Sequence, residues 1–344
     1  MSEVSGLTPL FYELERCRDI AMTSLVVPDR VPRNSYGDWI KNRFHRPPLE
    51  HPSPSPFVEA RHEWAGRRLT TIAKEAPKSL VLLPVAENQY GGVLSHQAPE
   101  FKSRIFAIFH QPPSWMRLHW RDFSKLDGLG GIFCFGEQQQ AFLQSVTATP
   151  IFRIKLGTHL NFFVPPTIPR PVNPTRILFV GEWLRDLNTL VSSMEMIWKA
   201  KPEVELDCVV PRHGRHAPTL LQLARDNRVR WHAGLQPEQL RELYQQATLL
   251  FLPLIDAVAN CAITESLACG LPIVSTRIGG IPEYVPADAA ILCNPSDARD
   301  HADSVIRWLY DDSSRIAAGK AGRAFAESKL NWKQIAAELV SYIK

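Results

Sequence analysis

From Arg176 to the end of the chain, short apolar runs alternate with longer stretches whose apolar residues recur every three or four positions. RILFV (176–180), ELDCVV (205–210), VRWHA (229–233), LLFLPL (249–254), PIVS (272–275) and AAILC (289–293) predict strands. Leu187, Leu190, Val191, Met194 and Trp198 form a helical stripe after the first strand. PEQLRELYQQA (237–247) predicts a helix with Pro237 in its first turn, where a missing N–H costs nothing. A further helix ends at Gly270, before PIVS. Strands that are apolar on both faces, each followed by a helix, predict a parallel doubly wound sheet. Two or three helices close the chain, the last over WKQIAAELVSYI with Asn331 as N-cap.

The N-terminal half alternates less cleanly. TSLVV (23–27), SLVLLPV (79–85), RIFAIFH (104–110), GIFCFG (131–136) and FRIKLG (152–157) are strand candidates. They predict a second, looser Rossmann-like α/β domain. Such domains open on a strand and a glycine-rich loop, yet SGLTPLFYELERC reads as the helix that should follow them. The expectation is a domain short of its opening strand. HRPPLEHPSPSPF (45–57) and FFVPPTIPRPVNPT (162–175) each hold five prolines and lack periodicity. The first predicts an irregular surface segment and the second an interdomain linker. The expected division is an N-terminal domain over 1–165, a linker over 166–175 and a C-terminal domain over 176–344.

A length of 344 residues suits two domains, and 45% hydrophobic with 22% charged residues suits a soluble globular protein. No apolar run reaches about 18 residues, and the N-terminus lacks the basic and apolar regions of a signal peptide. The six cysteines form no C-x-x-C pair and several lie in apolar runs, which reads as small buried hydrophobes in a reducing, cytoplasmic setting rather than a zinc site. The net charge is +4, and residues 1–165 carry all of it, 19 Lys/Arg against 15 Asp/Glu. That excess is too mild for a nucleic-acid partner. It leaves open an acidic acceptor, a peripheral contact with the inner face of an anionic membrane, and an ordinary solvated surface.

One stretch carries candidate chemistry. NCAITESLACGLPIVSTRIGGIPEYV (260–285) places Glu265 in an otherwise apolar, small-residue helix that follows the strand LLFLPL. In an open parallel sheet, ligands bind beyond the carboxyl ends of the strands. The amides of Asn260, Cys261 and Ala262 then open a helix toward that crevice, where free N–H groups and the macrodipole favour a phosphate. Glu265, about one turn in, could accept two hydrogen bonds from a vicinal diol, or sit as a plain carboxylate on a solvated helix face or as a cap.

The same stretch resembles the donor-site signature of retaining GT-B glycosyltransferases of the group 1 (family 4) type. Their pattern is a Glu, seven residues, a second Glu in EAMACGLPVV, and then GG-x-PE. TESLACGLPIVSTRIGGIPEYV is similar to its second half, with Glu265 at the second Glu and Thr264 beside it. The resemblance implies that Glu265 holds the nucleotide ribose and that the amides around Cys261 and Ala262 hold the diphosphate. The first Glu falls on Ala257, a departure, and Asp256 is its neighbouring substitute. RILFVGEWLRDLNTL resembles the opening of the family's C-terminal domain. There Gly181 matches the glycine, Glu182 follows where a basic residue is usual, and Arg185 is the phosphate candidate, an exposed helix-start arginine being the alternative. Arg212 is a weaker one. LGTHLNFFVP (156–165) resembles the segment before the family's linker. His110, in FAIFHQPPSW, matches a histidine facing the donor sugar and could donate a hydrogen bond to it, or be a plain loop histidine. ENQYGG (87–92) is an acceptor-loop candidate or a turn.

What the resemblance implies is a GT-B fold of two Rossmann-like domains facing a cleft and hinging about the linker. The activity implied is retaining, metal-independent transfer of a hexose from a nucleoside-diphosphate sugar to a glycan or lipid-linked acceptor. The departing phosphate takes the acceptor's proton, so no cofactor and no dedicated base are needed. The absence of D-x-D, G-x-G-x-x-G after a strand, G-x-S-x-G and a P-loop agrees with this. Two other classes remain: a catalytically impaired relative that binds nucleotide or sugar or scaffolds a partner, and a sugar-nucleotide epimerase of similar fold.

Overall fold

The computed structural model describes residues 7–17, 21, 68–72, 74–89, 99–168, 175–216 and 218–343. The expected strand TSLVV, the proline-rich stretch 45–57, residues 90–92 of ENQYGG and most of the expected linker lie outside these residues. The chain divides into two compact units, one of Met1–Ile20 with Lys155–Ser341 and the other of Ala21–Ile154 with Tyr342–Lys344. The helix α1 (Thr8–Glu15) therefore belongs to the larger unit, not to the N-terminal domain expected for it. Its Pro9, Leu10 and Leu14 are buried, which accounts for the docking.

The smaller unit is built on a parallel sheet of β1 (Val81–Leu83), β2 (Ile105–Ile108), β3 (Gly131–Cys134) and β4 (Ile151–Arg153), paired in that order. A helical turn α2 (Ala86–Gln89) follows β1, α3 (Pro99–Lys102) precedes β2, and α4 (Pro113–His119) and α5 (Glu137–Val146) follow β2 and β3. β2 and β3 are buried at every position, as strands covered on both faces must be. The core closes on aromatic edges: Phe109 meets Trp120 at 5.6 Å and Phe123 meets Phe142 at 5.4 Å between centroids.

The larger unit carries a parallel sheet in the order β10-β9-β8-β5-β6-β7. Its strands are β5 (Arg176–Val180), β6 (Glu205–Val209), β7 (Val229–His232), β8 (Leu249–Leu252), β9 (Ile273–Thr276) and β10 (Ala290–Cys293). Helices α6 (Leu187–Ala200), α7 (Pro237–Gln246) and α8 (Cys261–Ala268) lie between strands, and α9 (Ala298–Tyr310), α10 (Asp312–Lys329) and α11 (Trp332–Ile343) close it. Asn331 caps α11 as expected, accepting the Lys333 amide at 3.0 Å. The chain runs outward from β5 through β6 to β7, then returns to place β8 on the other side of β5. The order reverses between β5 and β8, the point where open α/β sheets bind ligands.

Residues 155–165 pack with this unit and not with the N-terminal half in which the sequence pattern places them. The Leu156 amide donates to the Tyr284 hydroxyl at 2.8 Å, and the Thr158 amide to the Leu330 carbonyl at 2.9 Å. Phe163 is buried, its ring edge-on to Tyr244 at 6.0 Å. Arg323 of α10 donates to the carbonyls of Phe163 at 2.9 Å and Ala268 at 2.7 Å. A proline-rich look hides these anchors, because the apolar side chains are irregularly spaced.

Candidate functional site

The loops after β5 and β8 meet at the reversal point. The Asp186 amide donates to the Pro253 carbonyl and the Ile255 amide to the Leu184 carbonyl, both at 3.0 Å, and Arg185 bridges Leu254. Leu184 sits at φ +56, a left-handed conformation costing an L residue on the order of 1 kcal/mol. The bonds to the β8 loop hold it there. Gly181 is also left-handed, at φ +87, and a Cβ built on it would lie 2.7 Å from the Arg185 guanidinium. This glycine leaves room for the Arg185 side chain.

Arg185 donates Nε to the Val180 carbonyl at 2.9 Å and Nη1 to the Trp183 carbonyl at 2.8 Å. Burial lowers its pKa to about 10, against the opposing effect of Tyr244 and Cys261 nearby, so it stays cationic at neutral pH. Its guanidinium thus lies near the first residue of α8, which follows from β8. Asn260 is the N-cap of α8, its Oδ1 accepting the Ala262 amide at 3.0 Å. The expected trio of amides is therefore reduced, since that of Ala262 is already engaged. Thr264 is buried and its hydroxyl donates to the Cys261 carbonyl at 3.1 Å. Cys261 is half-buried at the helix start.

Glu265 is 4% exposed. That excludes the solvated helix face weighed for it. Every residue of α8 from Ala262 onward is buried, so a carboxylate there needs a partner. Tyr244 of α7 provides one, donating its hydroxyl to Oε2 at 2.9 Å. Burial first, then Glu265, raises the Tyr244 pKa well above its usual value, which keeps the phenol a donor. Tyr244 is the residue sequence reasoning missed; a buried aromatic hydroxyl on the apolar stripe of α7 is its signal.

Asp256 is half-buried and its Oδ1 accepts the Ala257 amide at 2.7 Å. Ala257 itself is buried, and its carbonyl accepts the Gly280 amide at 2.9 Å. The Gly279–Gly280 pair lies against this loop so closely that a Cβ on either would strike the carbonyl of Ala257 or Val258. Backbone contact explains why the sequence has two glycines there. Arg212 is exposed in the turn after β6.

The larger unit therefore brings Gly181, Arg185, Asp256, Asn260, Cys261, Ala262, Thr264 and Glu265 beyond the carboxyl ends of its central strands β5 and β8. His110 belongs to the smaller unit, at the end of β2. Its Nε2 donates to the Pro84 carbonyl at 2.7 Å, which engages that ring nitrogen within the unit. Among the described residues, no group of three or more His, Cys, Asp or Glu could hold a metal ion, and no helix is long and apolar enough to cross a membrane.

The chain is similar in sequence and in fold to known proteins. The GDP-mannose-dependent monoacylated alpha-(1-6)-phosphatidylinositol monomannoside mannosyltransferase of Corynebacterium glutamicum is 25% identical over 166 residues, 46% of this chain and 43% of that one. The chain spans less than half the length of the curated relatives it matches. Sucrose-phosphate synthase of Thermosynechococcus elongatus superposes with a TM-score of 0.69 at 20% identity, over 83% of this chain and 77% of that one. HepE of Anabaena, solved with UDP and glucose, gives 0.67 at 14% identity over 97% and 94%. These likenesses give the chain the GT-B fold of two Rossmann-like domains. The model of the family described as glycosyl transferases group 1 matches residues 174–311, the stretch that holds both loops and α8. Over that stretch the chain is similar to the glycosyl transferases group 1 family.

Proposed function

We propose that the protein transfers a hexose from a nucleoside-diphosphate sugar to an acceptor hydroxyl, with retention and without a metal ion. The observation that carries this reading is the convergence of Arg185, the start of α8 and the buried Glu265 at the β5/β8 reversal. Arg185 and the α8 dipole meet the charge of the diphosphate as it leaves. Glu265 accepts hydrogen bonds from the ribose diol, with Tyr244 holding its other side. In the reaction the bond from the anomeric carbon to the phosphate oxygen breaks. The acceptor oxygen bonds to the same face of that carbon, and its proton passes to the departing diphosphate.

The relatives support the donor and acceptor classes. One is named for GDP-mannose and a phosphatidylinositol mannoside, and another was solved with UDP and glucose. For this chain we infer a glycan or lipid-linked acceptor taken by the smaller unit, and peripheral contact with a membrane as the route to a lipid acceptor. The test is turnover: the full chain incubated with UDP-glucose, GDP-mannose and related donors, the sugar product read by NMR. An α-anomeric product from an α-linked donor, undiminished by EDTA, supports the reading, and an inverted anomer refutes retention. A second reading, a binding protein without turnover, is favoured by the buried Ala257 where the family has its first Glu. It predicts nucleotide binding with no product from any donor.

A further inference from the structure

In the smaller unit, two buried polar side chains from separate segments grip the loop that follows β2. Glu87, on the turn α2, is 5% exposed. Its Oε1 accepts the amide of His110 and, at 2.6 Å, that of Gln111. Its Oε2 is also buried and has no hydrogen-bond partner among the described residues. Gln139, fully buried on α5, donates Nε2 to the Gln111 carbonyl at 2.9 Å and accepts the Phe135 amide at 2.9 Å. Both backbone groups of Gln111 are therefore held from outside the loop. The His110 ring is tied as well, through Nε2 to Pro84 and against Phe135 at 5.1 Å between centroids.

Burying a carboxyl with one oxygen unpartnered is costly, and two loop amides facing solvent would need no such group. The loop lies at the carboxyl end of a parallel sheet, where α/β proteins set their ligand contacts. We propose that Glu87 and Gln139 are positioning residues that fix the His110–Gln111 dipeptide for the transfer reaction. Glu87 clamps both amides on one carboxyl oxygen, and Gln139 completes the grip at the carbonyl. This inference rests on the proposed transfer activity. Desolvation raises the Glu87 pKa against the opposing effects of His110 and the two amides, which agrees with a carboxyl that acts through hydrogen-bond geometry more than through charge. His110 is the ionisable side chain beside it.

The test compares Glu87→Gln, Glu87→Ala and Gln139→Leu in the full chain by amide hydrogen exchange and steady-state transfer kinetics. In Glu87→Ala the His110 and Gln111 amides should exchange at least about ten-fold faster. Its kcat should fall about 100-fold, as for a misplacement near 1 Å, with donor KM unchanged. Glu87→Gln keeps an oxygen that can accept both amides, so it should restore both protection and kcat. Should Glu87→Ala fail to fold, Gln139→Leu gives the same comparison. Faster exchange with unchanged kcat, or a Gln variant as impaired as the Ala variant, overturns the proposal. A wild-type chain without turnover overturns the transfer reading and the purpose of the clamp together. Failure of the clamp alone shows instead as equal exchange in wild type and Glu87→Ala.

Discussion

Replacing Tyr244 by Phe removes one oxygen from a fully buried site and leaves the Glu265 carboxylate without its 2.9 Å donor. A hydrogen bond to a charged acceptor contributes about 1.5–3 kcal/mol, and the raised Tyr244 pKa means the phenol is the donor across the working pH range. Tyr244→Phe should therefore destabilise the larger unit by about that amount. Glu265→Ala costs at least as much, because it opens a cavity and orphans the phenol. The pairwise term comes from the double-mutant cycle of Tyr244→Phe and Glu265→Ala, followed by urea unfolding of the full chain. The coupling should be about 1.5–3 kcal/mol. Additive effects, with coupling below about 0.5 kcal/mol, would refute the claim that Glu265 depends on Tyr244.

Three further outcomes follow from the same geometry. Gly181→Ala forces an L residue to φ +87 and a methyl into the Arg185 guanidinium, so it should cost about 1–2 kcal/mol in urea unfolding and weaken nucleoside-diphosphate affinity in calorimetry. Asn260→Ala removes the α8 cap and should cost about 1 kcal/mol by the same unfolding measurement. Glu87 has a folded pKa raised above 4.5, so the folded state keeps a proton that the unfolded chain releases. Its contribution is complete below the unfolded pKa and is lost as pH rises through the folded one. Compared with wild type, Glu87→Gln should gain relative stability as the pH rises above 4.5, read from urea midpoints.

The larger unit was legible because its strands are buried on both faces and its helices carry one stripe. RILFV occupies Arg176–Val180 in the structure as in the pattern. The small-residue helix around Glu265 was legible for the same reason, but the burial of the carboxylate was not. Nothing local in ITESLA tells a carboxylate facing solvent from one facing a tyrosine 21 positions away. The bonds made by Thr264 and the Ala262 amide were not legible, because hydrogen bonds closed inside one helical turn leave no mark on spacing. The domain limit at 165 failed where Leu156 and Phe163 bury themselves without periodicity. The hold of Glu87 and Gln139 on Gln111 went unread because each serves a backbone group distant in sequence.

The central claim is that Glu265 and Arg185 mark a nucleoside-diphosphate site. Its most direct test is thermal unfolding of wild type and Glu265→Ala with UDP, GDP and ADP. A ligand at about 100 times its dissociation constant adds about 2.7 kcal/mol. One nucleotide should raise the wild-type Tm, and the variant, itself folded, should lose most of that shift. Stabilisation of both proteins to the same extent, or of neither by any of the three, would contradict the assignment.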